Sequence, residues 1–392
     1  MENKEISLIK KEFERRFGKI GEFYFAPSRI NIIGEHIDYN GGRVLPCAIE
    51  IGTYAMACKN DLGLLRCFSI NIGDYVEISL DDLSNKKENS WANYVAGMVK
   101  YILQDGYNAG GFDIVVYGNI PYAAGISSSA SLEMLIGEVV NDLFNDNSIE
   151  RIKMPHIGQK VENLHFGLNS GIMDQFAINM GKKDNAIFLD TATLDYRYIP
   201  VDLGENVFVI LNTNKRRELK DSKYNERRAE TEKGLEILQK YVSIKNLCEL
   251  SDNDETHELI RKIQDTTIEK RVTHVVEENA RVQKMIDAMR ASDYETMGKL
   301  LDESHFSLKF LYEVTGAELD AVTDAARKCK YTYGARMTGA GFAGCAIALI
   351  KKEGLNDFEE TVSKEYKRMT GRTAQIICSQ IGDGPKKIKV EE

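Results

Sequence analysis

The segment Arg29-Ile30-Asn31-Ile32-Ile33-Gly34-Glu35-His36-Ile37-Asp38-Tyr39-Asn40-Gly41-Gly42 sets an arginine, two carboxylic acids and a histidine among isoleucines. A solvated turn has no need of so many charged groups beside apolar ones. Arg, Glu, His and Asp this close together offer donors and acceptors to a polyhydroxylated ligand. A salt-bridged structural turn is the plainer reading of the same residues. A second segment, Pro121-Tyr122-Ala123-Ala124-Gly125-Ile126-Ser127-Ser128-Ser129-Ala130, places small residues and three consecutive serines before an apolar-periodic run. A strand, a small-residue loop and a helix N-terminus form an anion site, because the first-turn N–H groups are unpaired and the helix dipole favours negative charge there. The serines add hydroxyls that can donate to phosphate or ligate a hard cation. It is not a Walker A loop, since no Gly-Lys-Ser/Thr follows, and a serine-capped helix without a ligand fits the segment equally well.

Two more segments carry chemistry. In Gly171-Ile172-Met173-Asp174-Gln175-Phe176 one acid stands among apolar residues; it is either an N-cap or a buried carboxylate aimed at a hydroxyl. Gly339-Ala340-Gly341-Phe342-Ala343-Gly344 matches GxGxxG. A dinucleotide fingerprint needs a strand before it and a helix after it. Here a polar segment precedes and the strand-like Cys345–Ile350 follows, so the Rossmann reading is rejected in favour of a permissive turn. The seven cysteines are scattered with no CxxC, and the six histidines form no helical ligand pair. That pattern argues against a disulfide framework, a thiolate zinc site or a transition-metal enzyme, and for small buried thiols. The chemistry falls to carboxylates, hydroxyls and backbone amides.

The elements that must position these groups follow from periodicity. Residues 1–20 predict an amphipathic helix with Ile6, Ile9, Phe13 and Phe17 on one face. A strand-rich stretch runs from Gly21 to Leu80, a helix from Trp91 to Leu103, a strand from Phe112 to Ile120 and a helix from Ser129 to Phe144. A strand at Val207–Leu211 opens the second half, which is helical through Ala326 and returns to strands at Cys345–Lys351 and Gln375–Ser379. Helices and strands interleave in both halves, which implies an α+β architecture of two layers, divided near Pro200 into residues 1–200 and 201–392. The run Lys215–Lys233 holds eight basic and five acidic residues. It reads as a solvated helix face with pairs such as Arg217–Asp221, or else as a phosphate-attracting rim.

With 392 residues, 43% hydrophobic and 28% charged, the chain has material for a large core in two domains. The net charge of −9 argues against a general nucleic-acid or anionic-membrane binder. No apolar run reaches the ~20 residues of a spanning helix, and the charged N-terminus has no signal-peptide core, so the expected location is cytoplasmic. Nothing in the sequence sets an oligomeric state.

Taken together, RINIIGEHIDYNGG, PYAAGISSSASLE and GARMTGAGFAGC resemble the three motifs of the galactokinases, in the GHMP small-molecule kinase superfamily. WANYVAG (Trp91–Gly97), GLNSGIMDQF (Gly167–Phe176), HVVEENARV (His274–Val282) and ESH (Glu303–His305) extend the likeness from Ala26 to about Gly384. The resemblance implies a two-domain α+β kinase with its active site in the interdomain cleft. That kinase would transfer the γ-phosphoryl of ATP to the anomeric hydroxyl of galactose, with Mg²⁺ as cofactor. It places Arg29, Glu35, His36, Asp38, Gly171, Asp174 and Tyr224 around the sugar. Glu35 and His36 would meet the exocyclic hydroxyl and Asp38 the ring hydroxyls, while Asp174, with Arg29 beside it, would face the anomeric hydroxyl. Gly125, Ser127, Ser128 and Ser129 would lie along the triphosphate, and Ser129 and Glu162 would ligate the metal. An arginine next to Asp174 favours the charged carboxylate and makes it a weak base, so general base and orienting anion are both open roles. Ser28 and Ala343 stand where glycine is usual, Ala123 and Ala124 lie in a stretch often richer in glycine, and Ile37 stands where threonine is common. Alanine at a position requiring positive φ would be strained by ~1–2 kcal/mol. These departures bear on nucleotide-loop geometry and sugar selectivity more than on reaction type. The competing readings are a paralogous kinase for another sugar, such as N-acetylgalactosamine or a uronic acid, and a non-catalytic regulator that senses sugar and ATP.

Overall fold

A computed structural model describes residues 4–88, 90–121, 125–215 and 220–389, with the side chains of 220–222 left aside. Ala123 and Ala124, and the Arg217–Asp221 pair, therefore lie outside what is described. The first half folds around a sheet whose alternating side chains serve two different layers. Helix α1 (Lys4–Phe17) precedes strands β1 (Glu22–Asn31), β2 (Arg43–Val44), β3 (Pro46–Lys59), β4 (Leu64–Ser69) and β5 (Asp74–Ser79). Helix α2 (Ala92–Gln104), strand β6 (Phe112–Gly118) and helices α3 (Ser128–Asn145), α4 (Lys153–Lys160) and α5 (Met173–Asn179) follow, then β7 (Asn185–Asp190) and β8 (Tyr196–Pro200). Phe23, Met56, Phe68 and Val115 face α1, where they pack on Ile6, Ile9 and Phe13. Their neighbours Tyr24, Ala55, Cys67 and Ile114 face α2 and α3 on the other side. The three- and four-residue spacing in α1 is thus explained by burial against one sheet face.

The second half comprises β9 (Asn206–Asn212), helices α6 (Lys220–Leu238), α7 (Asp254–Ile260), α8 (Thr266–Arg290), α9 (Tyr294–Ser307) and α10 (Ala317–Arg327), strands β10 (Thr332–Thr338) and β11 (Cys345–Lys351), helix α11 (Leu355–Thr370), and strands β12 (Gln375–Cys378) and β13 (Lys386–Ile388). The strand orders are β13-β1-β3-β6-β4-β5 in the first sheet, β10-β11-β9-β12 in the second and β2-β7-β8 in a small third sheet. The last strand thus returns to pair antiparallel with β1. The signature isoleucines Ile30, Ile32, Ile33 and Ile37 belong to the same apolar core as α8 and the second sheet, so the two halves share a core at the signature turn.

Three features prepare the site. The register of β1 on β3 slips between Pro27 and Ser28; bulges of this kind re-aim side chains and occur beside active sites. Two short π-helical segments, Val161–Phe166 and Leu308–Tyr312, finish the C-terminal ends of α4 and α9 and deliver Glu162 and Tyr312. A strand, β10, does precede the GxGxxG segment, contrary to the polar reading of 332–338; its buried Arg336 disguises it. The rejection of a dinucleotide fingerprint rests instead on β11, a strand where that motif requires a helix. Among the described residues no helix is long and apolar enough to cross a membrane.

Candidate active site

Arg29 leaves the bulged strand with its side chain 3% exposed and meets Asp174, which is 32% exposed to a cavity. The contact is bidentate, Nε to Oδ1 and Nη2 to Oδ2, each at 2.8 Å. Ser127 Oγ donates to the same Oδ2. Burial works against the arginine's charge, but Asp174, aided by Glu35 and Asp38, outweighs it and holds the Arg29 pKa above its usual value. Asp174 therefore already receives three donors, a geometry that fixes its direction strongly.

Asp38 faces Asp174 across the cavity. Burial, then the charges of Asp174 and Glu35, push its carboxyl up to about 7, despite hydrogen bonds from the backbone of Tyr39 and Met173. Gly171 passes so close that a Cβ there would sit 1.8 Å from Asp38 Oδ2. Only glycine permits that approach.

Glu35 lines the cavity, yet it is 1% exposed and is spoken for by protein donors. Asn31 Nδ2 at 2.8 Å and Arg336 Nη2 at 2.7 Å reach Oε2, while Gly339 N at 2.7 Å reaches Oε1. It is thus the link between the signature turn and the loop after β10. Gly339, at φ +82°, packs in turn on the phosphate loop, where a Cβ would lie 2.7 Å from Gly125 O. The three glycine-marked segments converge on one point.

His36 has φ 61°, an uncommon conformation for a non-glycine residue. The turn is held by Glu278, whose Oε1 accepts from Gly34 N at 3.0 Å and Glu35 N at 3.2 Å, and by Asn40 Nδ2 donating to His36 O at 3.1 Å. His36 Nε2 lies 3.2 Å from Ala340 O and Nδ1 2.9 Å from Tyr39 Oη. A carbonyl only accepts, so Nε2 carries the proton, and in the neutral imidazole the Tyr39 phenol donates to Nδ1. Tyr39 Oη then accepts from Tyr312 Oη at 2.8 Å. The Tyr224 ring stands 5.6 Å from that of His36 and 5.4 Å from that of Tyr39, completing an aromatic wall.

At the other end of the cavity α3 begins. Ser127, at φ 64°, precedes it, and an intrahelical bond first appears from Ser131 N to Ser127 O at 2.9 Å. The N–H groups of Ser128, Ser129 and Ala130 therefore have no i−4 carbonyl within the helix, as an anion site requires. Ser129 Oγ is 3.2 Å from Glu162 Oε1. A hydroxyl and a carboxylate are hard oxygen donors suited to Mg²⁺ when phosphate oxygens and water complete the shell. Among the described residues no cluster of three His, Cys, Asp or Glu offers a metal site made by protein alone.

Asp174, Arg29, Glu35, His36, Asp38, Gly171, Tyr224, Gly125, Ser127, Ser128, Ser129 and Glu162 all line this one cavity of about 400 Å³. Of the departures from the usual pattern, Ser28 lies on β1, where its hydroxyl donates to Ile126 O, and Ile37 has φ −115°. Ala343 is not among the positive-φ residues, whereas its neighbour Phe342 is, at 60°. No alanine strain therefore arises at the described positions. The solvated reading of Lys215–Lys233 holds for Arg228, which pairs with Glu232 at 2.8 Å. It fails for Arg227, which is buried and donates to Tyr312 O at 2.8 Å. Sequence reasoning missed Glu278, Arg336, Tyr39 and Tyr312 as site supports. Glu278 and Arg336 lie in HVVEENARV and GARMTGAGFAGC, but nothing local in those segments assigns them a partner.

Comparisons with known proteins show the family. Residues 11–59 match the galactokinase galactose-binding signature, 93–182 the N-terminal domain of GHMP kinases and 285–368 their C-terminal domain. The chain is 48% identical over 388 residues to a galactokinase of Clostridium tetani, covering 98% of each. It is 49% identical over 384 residues to one of Lactiplantibacillus plantarum, covering 97% of this chain and 99% of that one. The structure of Lactococcus lactis galactokinase complexed with galactose superposes with a TM-score of 0.94 at 42% identity, covering 98% of this chain and 100% of that one. A mevalonate kinase of Methanococcus jannaschii, at 19% identity and a TM-score of 0.68, shares the fold.

Proposed function

The chain belongs to the galactokinase family, and from that premise we propose that its cavity transfers the γ-phosphoryl of ATP to the anomeric hydroxyl of galactose. The observation that carries the assignment of roles is the Arg29–Asp174 pair, set between a helix N-terminus and a polar, aromatic-walled pocket. The anomeric oxygen attacks the γ-phosphorus, the bond to the bridging oxygen breaks and ADP leaves. Phosphoryl transfer passes through a loose, charge-spread transition state, so positioning and electrostatics do most of the catalysis.

In this reading Asp174 orients the anomeric hydroxyl and takes its proton late, once the oxygen has bonded to phosphorus. Three donors on its two oxygens suit holding more than stripping a proton. Arg29 spreads positive charge over the developing phosphoryl oxygens. Asp38, with Gly171 against it, holds ring hydroxyls; His36 and Tyr224 bound the sugar from the second face. Glu35 supports the sugar end chiefly by fixing Gly339 and Arg336. Gly125 and the N–H groups at Ser127, Ser128 and Ser129 cradle the phosphates. Ser129 and Glu162 would hold Mg²⁺, which when bound supplies charge neutralisation to the triphosphate. Residues 1–200 would carry the sugar signature and phosphate loop and 201–392 the closing wall. The use of ATP fits a cytoplasmic reaction.

The test is Asp174→Asn, which keeps size and removes charge. Galactose should still bind by calorimetry while kcat falls ~10²–10⁴-fold. A sugar panel in a coupled ADP-release assay, including N-acetylgalactosamine and uronic acids, should favour galactose. A folded Asp174→Asn protein with near-parent kcat would end the assignment.

A further inference from the structure

Beneath the phosphate loop α3 carries another acid, Glu133, one turn beyond Ser129 and fully buried. Gln175, the residue after Asp174 on α5, is buried as deeply and donates from Nε2 to Glu133 Oε2 at 3.0 Å. That single bond leaves two buried oxygens, Glu133 Oε1 and Gln175 Oε1, with no hydrogen-bond partner among the described residues. Orphans of this kind are rare and demand an explanation. In a cyclic acid–amide pair one proton satisfies both acceptors. The O–H on Glu133 Oε1 then donates to Gln175 Oε1, while the amide N–H donates to Glu133 Oε2.

Resting on the kinase reading above, we propose that Glu133 is held as a neutral carboxylic acid in a cyclic two-bond pair with the Gln175 amide, and that it is a positioning residue fixing Asp174 against the phosphate-binding helix. Helix α4 closes the pocket around the pair at a distance only glycine allows. A Cβ on Gly158 would lie 2.8 Å from Gln175 Cγ and 3.1 Å from Glu133 Oε2. Burial first, then the negative charges of Glu162 and Asp174, raise the Glu133 pKa well above the ordinary carboxyl value, against the opposing hydrogen bond from Gln175. A carboxylate here would add a third negative charge under an anion site and still leave an oxygen unpaired. The neutral acid joins the two helices that supply the phosphate loop and Asp174, and adds no such charge.

Infrared difference spectroscopy on the full chain at neutral pH, parent minus Glu133→Gln, should show the carbonyl stretch of a protonated carboxyl group that the variant lacks. A carboxylate band in its place would overturn the proposal. This readout does not depend on turnover, so a parent protein inactive toward galactose would sink the kinase reading and leave the protonation result standing. Kinetics test the positioning. Glu133→Asp, one methylene short of the amide, should lower kcat by ~10²-fold with galactose affinity unchanged by calorimetry. Glu133→Gln, which restores both bonds as an amide–amide pair, should recover kcat to within about twofold of the parent. A Gln variant as impaired as the Asp variant, or one with a raised Mg²⁺ requirement, would make Glu133 an ionised ligand and refute the pair.

Discussion

Replacing Gly171 by alanine puts a methyl group into space that Asp38 occupies. The new Cβ would lie 1.8 Å from Asp38 Oδ2 and 2.4 Å from its Cγ, where ordinary contact begins at 3.4 Å, so the nearest oxygen must recede by about 1.6 Å. The Asp38 backbone has little room to follow. Thr191 Oγ1 donates to Asp38 O at 2.7 Å, and Gly42 N closes the turn on Ile37 O at 2.8 Å. The carboxylate must therefore rotate away from the sugar. A misplacement of ~1 Å at a positioning group costs ~10²-fold, and each sugar hydroxyl left unpaired ~1–3 kcal/mol. The expected result is a fall of ~10²-fold in kcat/KM for galactose in a coupled ADP-release assay, with the KM for ATP within ~3-fold of the parent, because Gly171 touches the sugar end of the cavity. Folding should survive, since Gly171 is partly exposed and its φ is not left-handed. A folded variant whose kcat/KM for galactose stays within about twofold would show that Asp38 does not hold the sugar.

Other perturbations separate the remaining groups. Glu162→Gln should raise the Mg²⁺ concentration needed for half-maximal rate by ~10-fold or more while galactose affinity stays unchanged; an unaltered magnesium titration removes Glu162 from the metal site. Because the Asp38 carboxyl is pushed up to about 7, galactose binding that needs its ionised form should tighten as pH rises through that value. A flat calorimetric profile in the parent, matching Asp38→Asn, would refute this. Glu278 is depressed from 4.5 to about 2, burial opposing but Arg281, His274 and Arg336 prevailing. The stability it contributes is full above pH 4.5 and is lost as pH falls toward 2, on the order of 3 kcal/mol. Chemical denaturation of Glu278→Gln should therefore show less loss across that window than the parent.

Much of the fold was legible because its signals are local. The 3.6-residue spacing in α1 and α3 reports one buried face, and the continuous apolar runs at β6, β9 and β11 report strands buried on both, each within a few residues. The strand–loop–helix order around the serines was legible, and the helix begins at Ser128, one residue from its expected start. The same locality explains the misses. β10 failed to read as a strand because Arg336, in its middle, is buried against Glu35, 301 residues away. The inward turn of Arg227 depends on a carbonyl 85 residues distant.

The site divides along the same line. Which groups are chemically able to act was legible from residue type and spacing for Arg29, Asp38, Asp174 and the serines, and from the family resemblance for Glu162, and all of them line one cavity. What each does with its lone pairs and protons was decided only by tertiary structure. Glu35, which the family resemblance places at the sugar, also accepts three hydrogen bonds from Asn31, Arg336 and Gly339 that no local pattern announces. Asp38 rises toward neutrality because folding buries it and brings Asp174 beside it from elsewhere in the chain, with neighbouring Glu35 adding to the effect. Glu133, one more glutamate on a helix in the sequence, becomes a buried acid because Gln175 and not a cation is brought against it. Composition fixes how many charges a chain carries; burial and the partner that folding supplies fix whether each is a ligand, a brace or a proton held in place.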